Sequence, residues 1–104
     1  MIKLINISFV GVLLGITVVQ AQDASRGQEL YKTCVQCHGD QGQGLQEKVA
    51  PRIAGQYDWY IVSQLQLFKK KERHNPEMYP FISNLNDKDF KDLAAYVSTM
   101  KVSH

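Results

Sequence analysis

Apolar residues recur at helical spacing in three stretches of this chain, which predicts short α-helices packed around a common centre. The first runs from Ala24 to Cys34, with Asp23 or Ser25 placed to cap its start and Leu30 on the face that carries Gly27 and Tyr31. The second runs from Tyr57 to about Lys70, where Ile61, Leu65 and Phe68 make one apolar stripe. The third runs from Asn86 to Lys101, opened by Asn86 with Asp89 three residues on in the manner of a capping box, and lined by Phe90, Leu93, Ala94 and Val97. Gly27 has no side chain, so the first helix is expected to approach the last closely there, with Tyr31 packing near Leu93 and Tyr96.

The segment before these helices has a different pattern. Met1 to Ala21 combines one basic residue, Lys3, with an apolar run from Leu4 to Val19 and a small-residue exit at Val19-Gln20-Ala21. It reads as a secretory signal cleaved after Ala21, leaving residues 22–104 as the mature domain in the periplasm. A retained anchor is the alternative, but Asn6 and Ser8 interrupt the run, which falls short of the ~20 residues that span a bilayer. With 12 Lys and Arg against 10 Asp and Glu, the chain is near neutral, which argues against a nucleic-acid binder. A domain this short also buries a small core and needs support from elsewhere.

That support is legible in Cys34-Val35-Gln36-Cys37-His38, a C-x-x-C-H run and the attachment signature of c-type haem. Cys34 and Cys37 are the thiols for two thioether bonds, and His38 follows in place to reach the iron. Its second ring nitrogen then needs an acceptor to fix the ring plane. Three other readings compete. A thioredoxin-type pair wants a βαβ context, and no β-branched run flanks Cys34. A zinc site would need His74 or His104 at spacings unlike a finger. A disulfide three positions apart would close too small a loop to constrain the unfolded chain.

Downstream residues extend the same reading. Gly39, Gly42 and Gly44 form a loop with neither the strand nor the lysine of a phosphate cradle, and suit a backbone passing close to a flat ligand. Pro51, in Ala50-Pro51-Arg52-Ile53-Ala54-Gly55-Gln56, is the candidate whose carbonyl accepts from the His38 ring; an ordinary loop proline is the alternative. Met78 lies between Pro76 and Pro80, which are expected to prevent a helix and hold the segment extended, its thioether free to point inward. Sulfur and imidazole together raise the potential of haem iron. Met100, on the last helix, and His74 are the rival sixth ligands. Lys69, Lys70, Lys71 and Arg73 form either a docking patch for an acidic redox partner or a solvated complement to a helix dipole.

With the haem motif, the Ala50-Pro51 to Gln56 segment, the proline-bracketed Met78 and Leu93-Ala94-Ala95-Tyr96 in this order, the chain resembles class I c-type cytochromes, narrowly the small bacterial periplasmic monohaem members and single halves of di-haem members. The resemblance implies an all-α cytochrome c fold around one covalent haem c, with His38 and Met78 axial and the first and last helices crossed. It implies electron transfer with redox partner proteins, a membrane or periplasmic donor and a terminal oxidase or reductase acceptor, without catalysis and without stable membrane insertion. The run Lys69 to Lys71 departs from it, where a shorter approach containing glycine is expected. A haem enzyme or gas sensor with an open sixth position is the competing class, and a haem subunit of a fixed complex shares the chemistry with different partners.

Overall fold

The computed structural model describes residues 21–103 together with Gly11 and Gly15, so the signal segment lies outside the described residues except for Gly11, Gly15 and Ala21. Among the described residues no helix is long and apolar enough to cross a membrane. The secondary structure there is helical: α1 (Ala24–Tyr31), α2 (Val35–His38), α3 (Asp58–Lys69), α4 (Tyr79–Ile82) and α5 (Asp87–Thr99), with a 3-10 turn at Gln46–Lys48 and one isolated bridge between Leu45 and Ala50.

Helix α1 begins because the Asp23 carboxylate accepts the N–H groups of Ser25 and Arg26, which would otherwise lack partners. It ends three residues before the expected Cys34. The Thr33 hydroxyl donates to the Leu30 carbonyl at 3.3 Å and the Cys34 N–H to the Tyr31 carbonyl at 2.8 Å, closing a tight turn from which α2 starts afresh. Helix α5 carries the anticipated capping box between Asn86 and Asp89. It stops at Thr99, and Met100 is already extended.

Helices α1 and α5 cross at Gly27, where a Cβ would overlap the main-chain carbonyl of Asp92. Tyr31 and Tyr96 meet beside this crossing with ring centroids 5.5 Å apart and tilted by 59°. Leu65 and Phe68 of α3 pack with Phe90, Leu93 and Val97 of α5 and with Ile82 of α4 to form the core. At the edge of the crossing the fully buried Asp92 carboxylate accepts from the Asp23 N–H at 2.9 Å, Arg26 at 2.9 Å and Lys88 at 2.6 Å. Burial by itself would raise its pKa. The hydrogen bonds from Lys88, the Asp23 N–H and Arg26 outweigh burial and hold the group down at about 2.

Two segments differ from expectation. The backbone around Met78 is helical rather than extended: Met78 has φ −82° and ψ −31°, and the Tyr79 N–H bonds the Asn75 carbonyl at 3.0 Å. Prolines break helices only where an N–H is needed. Pro76 and Pro80 each occupy the first turn of a short helical stretch, where the missing N–H costs nothing. The basic stretch is likewise not a free patch. Lys69 donates to the Leu85 carbonyl and lies 5.9 Å from the centre of the Phe90 ring, Lys71 lies 4.7 Å from that of Tyr79, and Arg73 lies 4.5 Å from that of Phe68 while donating to Gln64 at 2.6 Å. Each of these three cations stands over an aromatic face, which attracts positive charge.

Candidate functional site

The C-x-x-C-H residues are wound into one helical turn. His38 N–H donates to the Cys34 carbonyl at 2.9 Å and Gly39 N–H to the Val35 carbonyl at 2.8 Å. Positions i, i+3 and i+4 share a helix face, so Cys34, Cys37 and His38 emerge on the same side. Gly39 then ends the turn at φ 86° and ψ 161°, a conformation closed to residues with a Cβ. The Tyr31 hydroxyl donates to its carbonyl at 2.6 Å and ties the end of the motif back to α1.

This face borders a cavity of about 580 Å³. Cys34, Cys37, His38 and Met78 all line it, as do Pro51, Ile61, Leu65, Phe68 and Ile82. The apolar stripe read from α3 is therefore one of its walls. Neither rival sixth ligand is among the lining residues. His74 lies on a separate cleft of about 170 Å³, and Met100 caps the C-terminal end of α5, its sulfur beside Gly42.

The donor set and its surroundings suit a large flat metallo-ligand. The two thiols are free and half-buried. Burial pushes the Cys34 thiol up, against a hydrogen bond with Thr33 that pulls it down. His38 is largely buried, and its Nδ1 lies 2.9 Å from the Pro51 carbonyl oxygen. A carbonyl can only accept, so Nδ1 carries the proton and Nε2 is left as the basic nitrogen. The cavity volume falls within the range of about 300–1,000 Å³ that small-molecule and cofactor pockets occupy. Among the described residues no group of three or more His, Cys, Asp or Glu side chains is placed to hold a bare metal ion.

A family model described as "Cytochrome c" matches residues 24–101. The chain belongs to the cytochrome c family. This cytochrome is 36% identical over 84 residues to cytochrome c-554(548) of Halomonas halodenitrificans, covering 78% of this chain and all of the relative. It is 46% identical over 66 residues to cytochrome c4 of Thiocapsa roseopersicina, covering 64% of this chain and 33% of that one. Its fold superimposes on a solved cytochrome c4 of Acidithiobacillus ferrooxidans with a TM-score of 0.69 and 31% identity, over 79% of this chain and 53% of the other. The cytochrome thus spans the whole of one relative and about half or less of these two cytochromes c4. It has the cytochrome c fold, and the cofactor of the family is covalently bound haem c.

The site also contains residues that the sequence alone did not single out. Lys48 and Arg52 bring positive charge to the cavity lining, and Val49 stands at 88% exposure on the same lining with a left-handed backbone, φ 53°. Tyr57 and Trp59 stack in the open at the start of α3 with centroids 6.0 Å apart. Their aromatic character was legible in the sequence; their exposure depends on which way α3 faces.

Proposed function

We propose that this cytochrome carries single electrons in the periplasm on a haem c attached through Cys34 and Cys37, with His38 and Met78 as its axial ligands. One observation carries the reading: an imidazole with its outer nitrogen bound to the Pro51 carbonyl, a thioether and two free thiols all line one mainly apolar cavity. The bound group would supply an iron centre that cycles between ferric and ferrous without making or breaking bonds. The chain's own residues do the rest. The Pro51 carbonyl fixes the tautomer and plane of His38, and makes its free nitrogen a stronger donor. The Met78 sulfur is soft and favours the reduced state. Ile61, Leu65, Phe68 and Ile82 exclude water and thereby resist charge reorganisation. No proton transfer is required of any of them.

Redox partner proteins follow from carriage, with a donor and an acceptor in the compartment to which the Met1–Ala21 signal would deliver the chain. Mature protein beginning at Gln22 in a periplasmic fraction is the expected result for that part; a retained N-terminal segment in the membrane fraction would refute it.

The decisive measurement is spectroscopic. Protein made in a host competent in haem attachment is expected to carry one haem by mass, to show the weak far-red band of ferric methionine-ligated haem, and to lose that band in Met78→Ala. Rapid, tight binding of carbon monoxide to the reduced wild type would show an open sixth position and overturn the carrier reading in favour of a haem enzyme or sensor.

A further inference from the structure

We propose that Asn75 is a positioning residue for the methionine: its side-chain oxygen holds the Met78 backbone in the turn that presents the thioether to the cavity. The inference rests on Met78 as the axial ligand. Asn75 Oδ1 accepts from the Glu77 N–H at 3.2 Å and the Met78 N–H at 3.1 Å, while the Asn75 main-chain carbonyl accepts from the Tyr79 N–H at 3.0 Å. Asn75 is therefore the N-cap of the turn that contains Met78, with Pro76 in the first position, where proline is at home.

The ends of the segment are fastened independently. Upstream, the N–H groups of Glu72 and Arg73 both bond the Leu67 carbonyl, at 3.0 and 3.1 Å. Downstream, Ile82 is buried in the core and the Ser83 N–H bonds the Tyr79 carbonyl at 2.9 Å. Between these anchors the two prolines supply no N–H; the Met78 carbonyl accepts from the Phe81 N–H at 3.0 Å, and on the upstream side the N–H groups of Glu77, Met78 and Tyr79 all bond to Asn75. Asn75 itself lines both the large cavity and the smaller cleft behind it. It stands in the wall between them, where a change in its side chain reaches the methionine without touching His38 or the thiols.

The test compares haem-loaded wild type, Asn75→Ala, Asn75→Asp and Met78→Ala by two readouts: the far-red band of the ferric protein, and the affinity of added imidazole, which must displace the sixth ligand. Asn75→Ala is expected to lose at least half the band and to bind imidazole about ten-fold more tightly, since two hydrogen bonds no longer hold the native turn. Asn75→Asp, whose carboxylate accepts from the same two N–H groups, is expected to stay within about two-fold of wild type. An Asn75→Ala protein equal to wild type in both readouts, or an Asn75→Asp protein as labile as the alanine variant, overturns the assignment. If the alanine variant does not fold, Asn75→Gln decides, because it keeps the amide but moves its oxygen by one methylene; wild-type behaviour there also overturns it. A wild type without the band, or a Met78→Ala variant that retains it, refutes Met78 as the ligand, and the positioning role falls with it.

Discussion

The main-chain N–H of Asp23 donates to the Asp92 carboxylate at 2.9 Å, across 69 residues of sequence, and joins the start of α1 to the middle of α5. Asp92 titrates at about 2 in the folded protein, below the ordinary carboxylate value of 3.8. The unfolded chain therefore binds protons first as pH falls. The contribution is fully present above pH ~4 and is lost as pH drops through about 2, and it amounts to on the order of 2 kcal/mol. Urea midpoints at pH 7 and pH 3 are expected to differ in wild type and to differ less in Asp92→Asn, where Asp89 and Asp23, both also held below the ordinary value, remain to titrate; at neutral pH the variant is itself less stable, because Lys88 loses its charged partner and Arg26 one of its two.

Gly27 leaves no room for a methyl group against the Asp92 carbonyl. Gly27→Ala is expected to cost about 1–3 kcal/mol, since the neighbour is backbone and can yield only by shifting a whole helix. The gain in intrinsic helix propensity, about 1 kcal/mol, opposes this and sets the lower limit. A denaturant midpoint at or above wild type would show that the two helices separate without loss.

Val49 combines a β-branched side chain, a left-handed backbone and almost complete exposure. No other side chain of the protein packs on Val49 to offset the conformational cost of about 1–2 kcal/mol, and its place on the cavity lining makes the protein without a bound group the form to measure. Val49→Asn is expected to raise the thermal midpoint by about 4–8 °C, the shift that corresponds to roughly 1 kcal/mol in a domain of this size. An unchanged or lower midpoint would mean that the strain is relieved elsewhere.

The cavity of about 580 Å³ is walled by Ile61, Leu65 and Phe68 of α3, so the packing of α3 against α4 and α5 is only part of its apolar burial, and the remaining core of a domain this small cannot hold the helices alone. A Cys34→Ala, Cys37→Ala protein that lacks haem is expected to be largely unfolded. Helical circular dichroism close to that of the wild type would show that the crossing of α1 and α5 is self-sufficient.

The attachment run was legible because its meaning lies in residue identities at fixed spacing, which no tertiary context is needed to read. The Pro51 carbonyl and the crossing at Gly27 were legible for a related reason: each is what a missing group, an N–H or a Cβ, makes possible. Asp23 and the Asn86–Asp89 box marked their helix starts correctly, because capping is local. The backbone of the Met78 segment is not legible from Pro76 and Pro80 as helix breakers, because Asn75-Pro76 is equally a helix-start signal. The end of α1 was placed too late because Thr33 turns the chain through a hydrogen bond that apolar periodicity does not encode. The engagement of Lys69, Lys71 and Arg73 was out of reach as well. It depends on Leu85, Tyr79, Phe68 and Gln64 arriving from elsewhere in the fold.

Those three cations have a consequence for encounters with other molecules. Their charge still projects through solvent, so an oppositely charged visitor would be drawn in at a rate that declines with added salt. Forming a close ion pair with any of them would first require lifting the side chain off its ring. Attraction at a distance and grip on contact are thereby uncoupled, which suits a courier that must be found quickly and released quickly.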